Sequence, residues 1–94
     1  MTDAVLRELR DLTELTALDL HGCTLVTDVG VRALRDLTTL TSLTLSYCTH
    51  VTDEGLQHCT SLTALSTLFL YDTSTTQAGR DALEAALPAL RIYN

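Results

Sequence analysis

Three groups of side chains in this 94-residue chain have the types that chemistry uses. Cys48, His50, His58 and Cys59 offer thiolates and imidazoles, which zinc takes in fours. Asp19, His21 and Ser46 offer an acid, a base and a hydroxyl, the ingredients of a nucleophilic site. Tyr47, Phe69 and Tyr71, three of only four aromatic residues, offer the large apolar surfaces that dominate binding hot spots. Whether any group can act together depends on the elements that hold it.

Those elements come from a repeat. Leu15, Leu40, Leu65 and Leu90 recur in step, as do Leu18, Leu43 and Leu68, and Leu20, Leu45 and Leu70. One unit reads LTALDLHGCTLVTDVGVRALRDLTT, residues 15–39, and the next reads LTSLTLSYCTHVTDEGLQHCTSLTA, residues 40–64. A period of this length signals a solenoid, whose coils each bury their apolar edge on a neighbour. Each unit opens with LxxLxL, in which Leu18 and Leu20 flank Asp19, Leu43 and Leu45 flank Thr44, and Leu68 and Leu70 flank Phe69. Strict alternation is the signature of a strand with one buried face. Thr27-Asp28, Thr52-Asp53 or Thr76-Gln77 follows, with Gly30, Gly55 or Gly79 shortly after. A threonine before an acid marks a helix start, since its hydroxyl caps a free N–H and the carboxylate favours the positive helix end. Val31, Leu34 and Leu37, or Leu56, Cys59 and Leu62, then form one inward stripe.

The ends depart from the unit. Thr2-Asp3 aligns with Thr27-Asp28, so residues 1–14 read as the helical half of a repeat, either a shield for the core or a cut from a longer array. The third unit, residues 65–89, carries a longer Ala-rich helix, GRDALEAALP, and residues 90–94 read as a last short strand. Altered terminal units are what capping requires, and the C-terminus reads as natural. Residues 1–94 are therefore expected to form a single domain.

The composition excludes several classes. A net charge of −6 opposes nucleic acid, whose phosphates demand a basic patch, and anionic membrane surfaces. All six basic residues are arginine, which by itself carries no mechanism. No apolar run approaches the length of a membrane span, and the start, MTDAVLRELRDL, lacks the apolar core of a secretory signal. Three cysteines, an odd number, suit a reducing compartment, so a cytoplasmic location is expected.

LxxLxLxxC followed by TDxGL and a leucine-striped helix resembles the leucine-rich repeat superfamily, in its cysteine-containing subtype. Leu15, Leu18, Leu20, Cys23, Thr27, Asp28 and Gly30 match, as do Leu40, Leu43, Leu45, Cys48, Thr52, Asp53, Gly55 and Leu56. The third unit keeps Leu65, Leu68, Leu70 and Gly79 but has Thr73 for Cys and Gln77 for Asp, which puts its turn geometry in question. The resemblance implies an α/β leucine-rich repeat solenoid of about three coils, with a parallel inner sheet and short outer helices. It also implies that Cys23 and Cys48 are small buried residues bonded to backbone. Repeats of this subtype occur in F-box substrate-recognition subunits of ubiquitin ligases, and nothing in this chain resembles an F-box.

Strand alternation then sorts the candidates. Ala17, Asp19 and His21, then Ser42, Thr44 and Ser46, then Thr67, Phe69 and Tyr71 are expected on the concave, solvent-facing side, with Tyr47 and Asp72 at the strand ends. The zinc reading fails on this frame. Cys48 lies at a strand end, Cys59 on the inward helix stripe, His58 outward and His50 in a turn. Neighbouring Cys23 and Cys48 run parallel and are expected as free thiols. Asp19, His21 and Ser46 share an open sheet without a pocket or an oxyanion hole. The single glycines at helix starts do not form a phosphate loop.

The expected function is recognition of another protein on the concave face. Tyr47, Phe69 and Tyr71 serve as anchors, with Asp19, His21, Thr44, Ser46 and Asp72 as the polar surround. No enzyme activity, cofactor or metal is expected. The alternatives are a fragment of a ubiquitin-ligase substrate receptor and a scaffold unit that self-associates through its sheet edges.

Overall fold

Each repeat becomes one coil of backbone in the computed structural model, which describes residues 1–94. Helices α1 (Asp3–Glu8), α2 (Asp28–Ala33), α3 (Asp53–His58) and α4 (Gln77–Ala86) form one wall. Strands β1 (Ala17–Asp19), β2 (Ser42–Thr44), β3 (Thr67–Phe69) and β4 (Arg91–Tyr93) form the other. The strands make one parallel sheet in chain order, the arrangement expected of a leucine-rich repeat solenoid. Leu18, Leu43 and Leu68 pair in register, and Ile92 continues the row.

The walls close on a single core of 20 buried apolar residues. Leu20, Leu43, Leu45, Leu68 and Leu70 enter it from the sheet side, and Val31, Leu34, Leu56 and Cys59 from the helix side. The helical stripe has a spacing of three because each of the first three α-helices lasts six residues. Each then tightens into a 3-10 turn, at Leu9–Asp11, Leu34–Asp36 and Cys59–Ser61. Three residues per turn keep i and i+3 on one line. Leu15 and Leu18 are only half-buried, because the first strand has no coil on its outer side.

Every α-helix starts at the threonine singled out in the sequence. Thr2, Thr27, Thr52 and Thr76 sit at the N-cap, and their hydroxyls accept from Val5, Val29, Glu54 and Gly79 amides. The aspartate after the threonine does more than complement its own helix. Asp3 Oδ1 and Oδ2 accept from the amide (2.8 Å) and hydroxyl (2.6 Å) of Thr27 in the next coil. Asp28 does the same to Thr52, and Asp53 to Thr76. The glycine three residues after each receiving threonine makes room for the carboxylate. An added Cβ at Gly30, Gly55 or Gly79 would run into Asp3, Asp28 or Asp53.

The last coil departs from the expected period. Leu90 lies 25 residues after Leu65, yet the strand register advances by 24, Thr67 pairing with Arg91 and Phe69 with Tyr93. Helix α4 runs ten residues, from Gln77 to Ala86, starting two residues before the expected GRDALEAALP. Gln77 passes no carboxylate onward. Its amide donates to Asp81 (2.7 Å), and its carbonyl lies near Arg80.

Candidate functional site

The outward row of the sheet reads Asp19, Thr44, Phe69 and Tyr93 across the four strands, in register. The parallel row beside it reads Ala17, Ser42, Thr67 and Arg91. Beyond the strands the chain turns, and the turn decides where the remaining candidates point. Gly22, Tyr47 and Asp72 occupy equivalent places and all have left-handed backbone, with φ of 73°, 64° and 54°. Glycine adopts that conformation freely, whereas tyrosine does so at a cost of about 1–3 kcal/mol. The stacked coils hold it there: the Tyr47 amide donates to Tyr71 O (2.6 Å), as the Gly22 amide donates to Ser46 O (2.8 Å).

The aromatic residues gather into two groups on this face. The His21 and Tyr47 rings are 4.9 Å apart and tilted by 57°. Phe69 stacks on Tyr93 at 5.1 Å and lies 6.5 Å from Tyr71. Tyr47, Tyr71 and Tyr93 are 44%, 43% and 41% exposed, so each keeps a wet side that a partner could cover. Phe69 is half-buried between its two tyrosine neighbours. It therefore also packs across strands, and its exposure is less than alternation implies. Tyr93 belongs to the group although the sequence reading passed over it. The strand expected at residues 90–94 was the available signal, and the shortened register is what aligns Tyr93 with Phe69.

Ser46 is the clear correction. It was expected on the open face and is 2% exposed. Strand β2 ends at Thr44, so alternation no longer governs Ser46, and its Oγ accepts the Tyr71 amide at 3.1 Å. That removes Ser46 from the polar surround and from any nucleophilic site. Asp19 is exposed, but its Oδ1 accepts the His21 amide (2.9 Å), so the carboxylate steadies its own turn. Thr44 is half-buried within the row, whereas His21 and Asp72 are exposed.

The thiols are interior groups. Cys48 Sγ lies 3.1 Å from Leu20 O in the preceding coil, and burial pushes its pKa up to about 11. Cys59 Sγ lies 3.8 Å from Gly55 O, and burial pushes its pKa up to about 12. Thr73 takes the Cys48 place in the third coil and donates its hydroxyl to Leu70 O at 3.1 Å. Cys23 is a half-exposed free thiol near His21 O, less buried than the resemblance implies because no coil covers it. Cys48 and Cys59 thus face different carbonyls, while His50 and His58 line a surface hollow with Glu54. No three His, Cys, Asp or Glu side chains are grouped as a metal ion needs. No helix is long and apolar enough to cross a membrane.

A family model described as Leucine Rich repeat matches residues 12–34, which hold β1 and α2, and residues 36–57, which hold β2 and all but the last residue of α3. No curated protein matches the chain.

Proposed function

Because the chain belongs to the leucine-rich repeat family, whose domains generally mediate protein–protein interaction, we propose that its sheet face recognises another protein. The anchors are Tyr47 and Tyr71, with Phe69 as the ring that supports Tyr71 and Tyr93. His21, Asp19, Thr44 and Asp72 form the polar surround. The observation that carries this reading is Tyr47. A bulky ring is held in left-handed backbone, where the first coil has glycine, and projects outward beside His21. The turn takes that conformation in each of the three coils, but Gly22 and Asp72 show that it does not need a large ring, whereas a partner gains a fixed apolar anchor at low ordering cost.

The mechanism is preorganisation. The side chains stand on parallel strands locked by a packed core, so binding immobilises few rotamers. Tyrosines that keep both an apolar ring and a polar tip suit a surface that is wet when free and dry when bound. A cytoplasmic setting fits three cysteines that carry no disulfide.

The test is a pull-down from lysate of the source cell. Wild type is compared with Tyr47→Ala/Tyr71→Ala/Tyr93→Ala, after circular dichroism shows that both fold. A partner kept by wild type and lost by the variant supports the sheet face. A partner kept by both sinks it. Strands β1 and β4 each leave one edge unpaired, and such edges invite pairing. If no partner is found and mass rises with concentration in light scattering, self-association through these edges replaces the proposal.

A further inference from the structure

Four of the six arginines stand together on the helical wall, away from the sheet. Arg7 and Arg10 in the N-terminal half repeat and Arg32 and Arg35 in the first full repeat line one shallow cavity of about 290 Å³, together with Val29, Ala33 and Asp36. The repeat stacks them: Arg32 follows Arg7, and Arg35 follows Arg10, by one period. The second full repeat has Gln57 and Thr60 at these places, so the cluster ends there. All four arginines are exposed. None of their guanidiniums donates a hydrogen bond within the protein, whereas that of Arg80 does.

This cluster runs against the rest of the molecule. The chain has six basic and twelve acidic residues, so outside these four arginines two basic residues face twelve acids. Each arginine stands in the last turn of its helix or 3-10 turn, where a cation suits the helix dipole, but like charges stacked on neighbouring coils repel. A focused positive spot on an acidic body does steer an anion to one place. Guanidinium forks pair with carboxylates in bidentate fashion, and four of them around one hollow exceed what a single carboxylate needs. Val29, 53% exposed, adds apolar contact for side chains between the acids. A long polyanion such as nucleic acid would run on to Asp28 and Glu54, which share a hollow with Arg32, or to Asp11 and Glu14 after Arg10, whereas a short segment would not.

We propose that Arg7, Arg10, Arg32 and Arg35 form a second docking surface, on the helical wall, for a short acidic peptide segment of a partner protein. It is independent of the sheet face, and the two surfaces together allow one partner to be gripped twice or two partners to be bridged.

The test is fluorescence anisotropy with a labelled peptide that alternates glutamate pairs with leucine, against the same peptide with glutamine for glutamate. Wild type should bind the acidic peptide alone, more weakly as salt is raised through about 0.1 M. Arg10→Gln/Arg35→Gln should weaken binding by about ten-fold or more, whereas Tyr47→Ala/Tyr71→Ala should bind as wild type. The arginine variant should melt close to the wild-type temperature, because the loss of two last-turn cations is offset by the relief of repulsion between them and their neighbours. A lower melting temperature would assign the arginines to the fold and overturn the proposal. So would absent binding by wild type, unchanged binding by the arginine variant, or tighter capture of a single-stranded oligonucleotide than of the acidic peptide.

Discussion

Asp28 of one coil holds Thr52 of the next with both carboxylate oxygens, Oδ1 to the amide at 2.7 Å and Oδ2 to the hydroxyl at 2.5 Å. The Thr52 hydroxyl in turn accepts from the Glu54 amide and caps α3. One carboxylate therefore joins two coils and orders the start of the second helix. Hydrogen bonds to charged groups contribute about 1.5–3 kcal/mol each, and these two share a site, so they do not add fully. Asp28→Ala is expected to cost about 2–3 kcal/mol in urea unfolding. Asp28→Asn keeps one acceptor for the amide and should cost less. Equal losses would mean that one neutral acceptor is worth nothing here and that the charged pair of oxygens carries the joint.

Gly55 tests the same joint from the other side. Alanine is the better helix former by about 1 kcal/mol, so Gly55→Ala in the middle of α3 should stabilise on propensity alone. An added Cβ would lie 2.5 Å from Asp28 Oδ1 and push the carboxylate off Thr52. The expected outcome is a net loss of about 1–2 kcal/mol. A raised melting temperature for Gly55→Ala would show that the coils can shift apart at no cost.

Acid should weaken the last joint. Hydrogen bonds from the Thr76 hydroxyl and amide hold the Asp53 pKa below its usual value, with a smaller contribution from Arg80. The unfolded chain then binds a proton more readily than the folded one, near the ordinary aspartate value of about 3.9. The stability from Asp53 is thus complete above that value and is lost as pH falls through the lower, folded value. Melting temperatures at neutral and acid pH should fall further for wild type than for Asp53→Asn. High salt should shrink the difference, because Asp53 is partly exposed. Parallel curves would remove Asp53 from the pH response.

Core and face should separate in stability. Leu43 is fully buried at the centre of the sheet, so Leu43→Ala is expected to cost about 2–5 kcal/mol. Phe69 is half-buried between Tyr71 and Tyr93, and Phe69→Ala should cost about 1–2 kcal/mol from lost ring contacts. Chemical unfolding of the two variants measures this order, and a reversed order would mean that Phe69 belongs to the core.

Thiol labelling should report the same burial. Cys48 and Cys59 are buried with thiol pKa values near 11 and 12, so at mildly alkaline pH neither supplies the reactive thiolate. Iodoacetamide on the folded protein should add one group, at Cys23, and after denaturation three, read by mass spectrometry. Rapid labelling of Cys59 in the folded protein would show that the helical wall opens easily.

The coil is legible in local sequence alone. A period of leucines, alternation around Asp19, Thr44 and Phe69, and a capping threonine are local patterns that bury one face and start one helix, and each appears in the fold where its residues stand. Local sequence also placed Tyr47, Tyr71, His21 and Asp72 at the surface. What lay between coils was decided by the tertiary structure. Asp28 beside Thr27 reads as a helix-dipole partner, and only stacking delivers its carboxylate to Thr52. Ser46 follows the outward alternation on paper. The strand stops at Thr44, and the Tyr71 amide from the next coil takes its hydroxyl. Tyr93 joins Phe69 because the last coil is one residue shorter in register, and the four arginines meet because the N-terminal half repeat stacks on the first full one. Periodicity governs contacts within a coil, whereas partners between coils depend on register, which no local window of sequence contains.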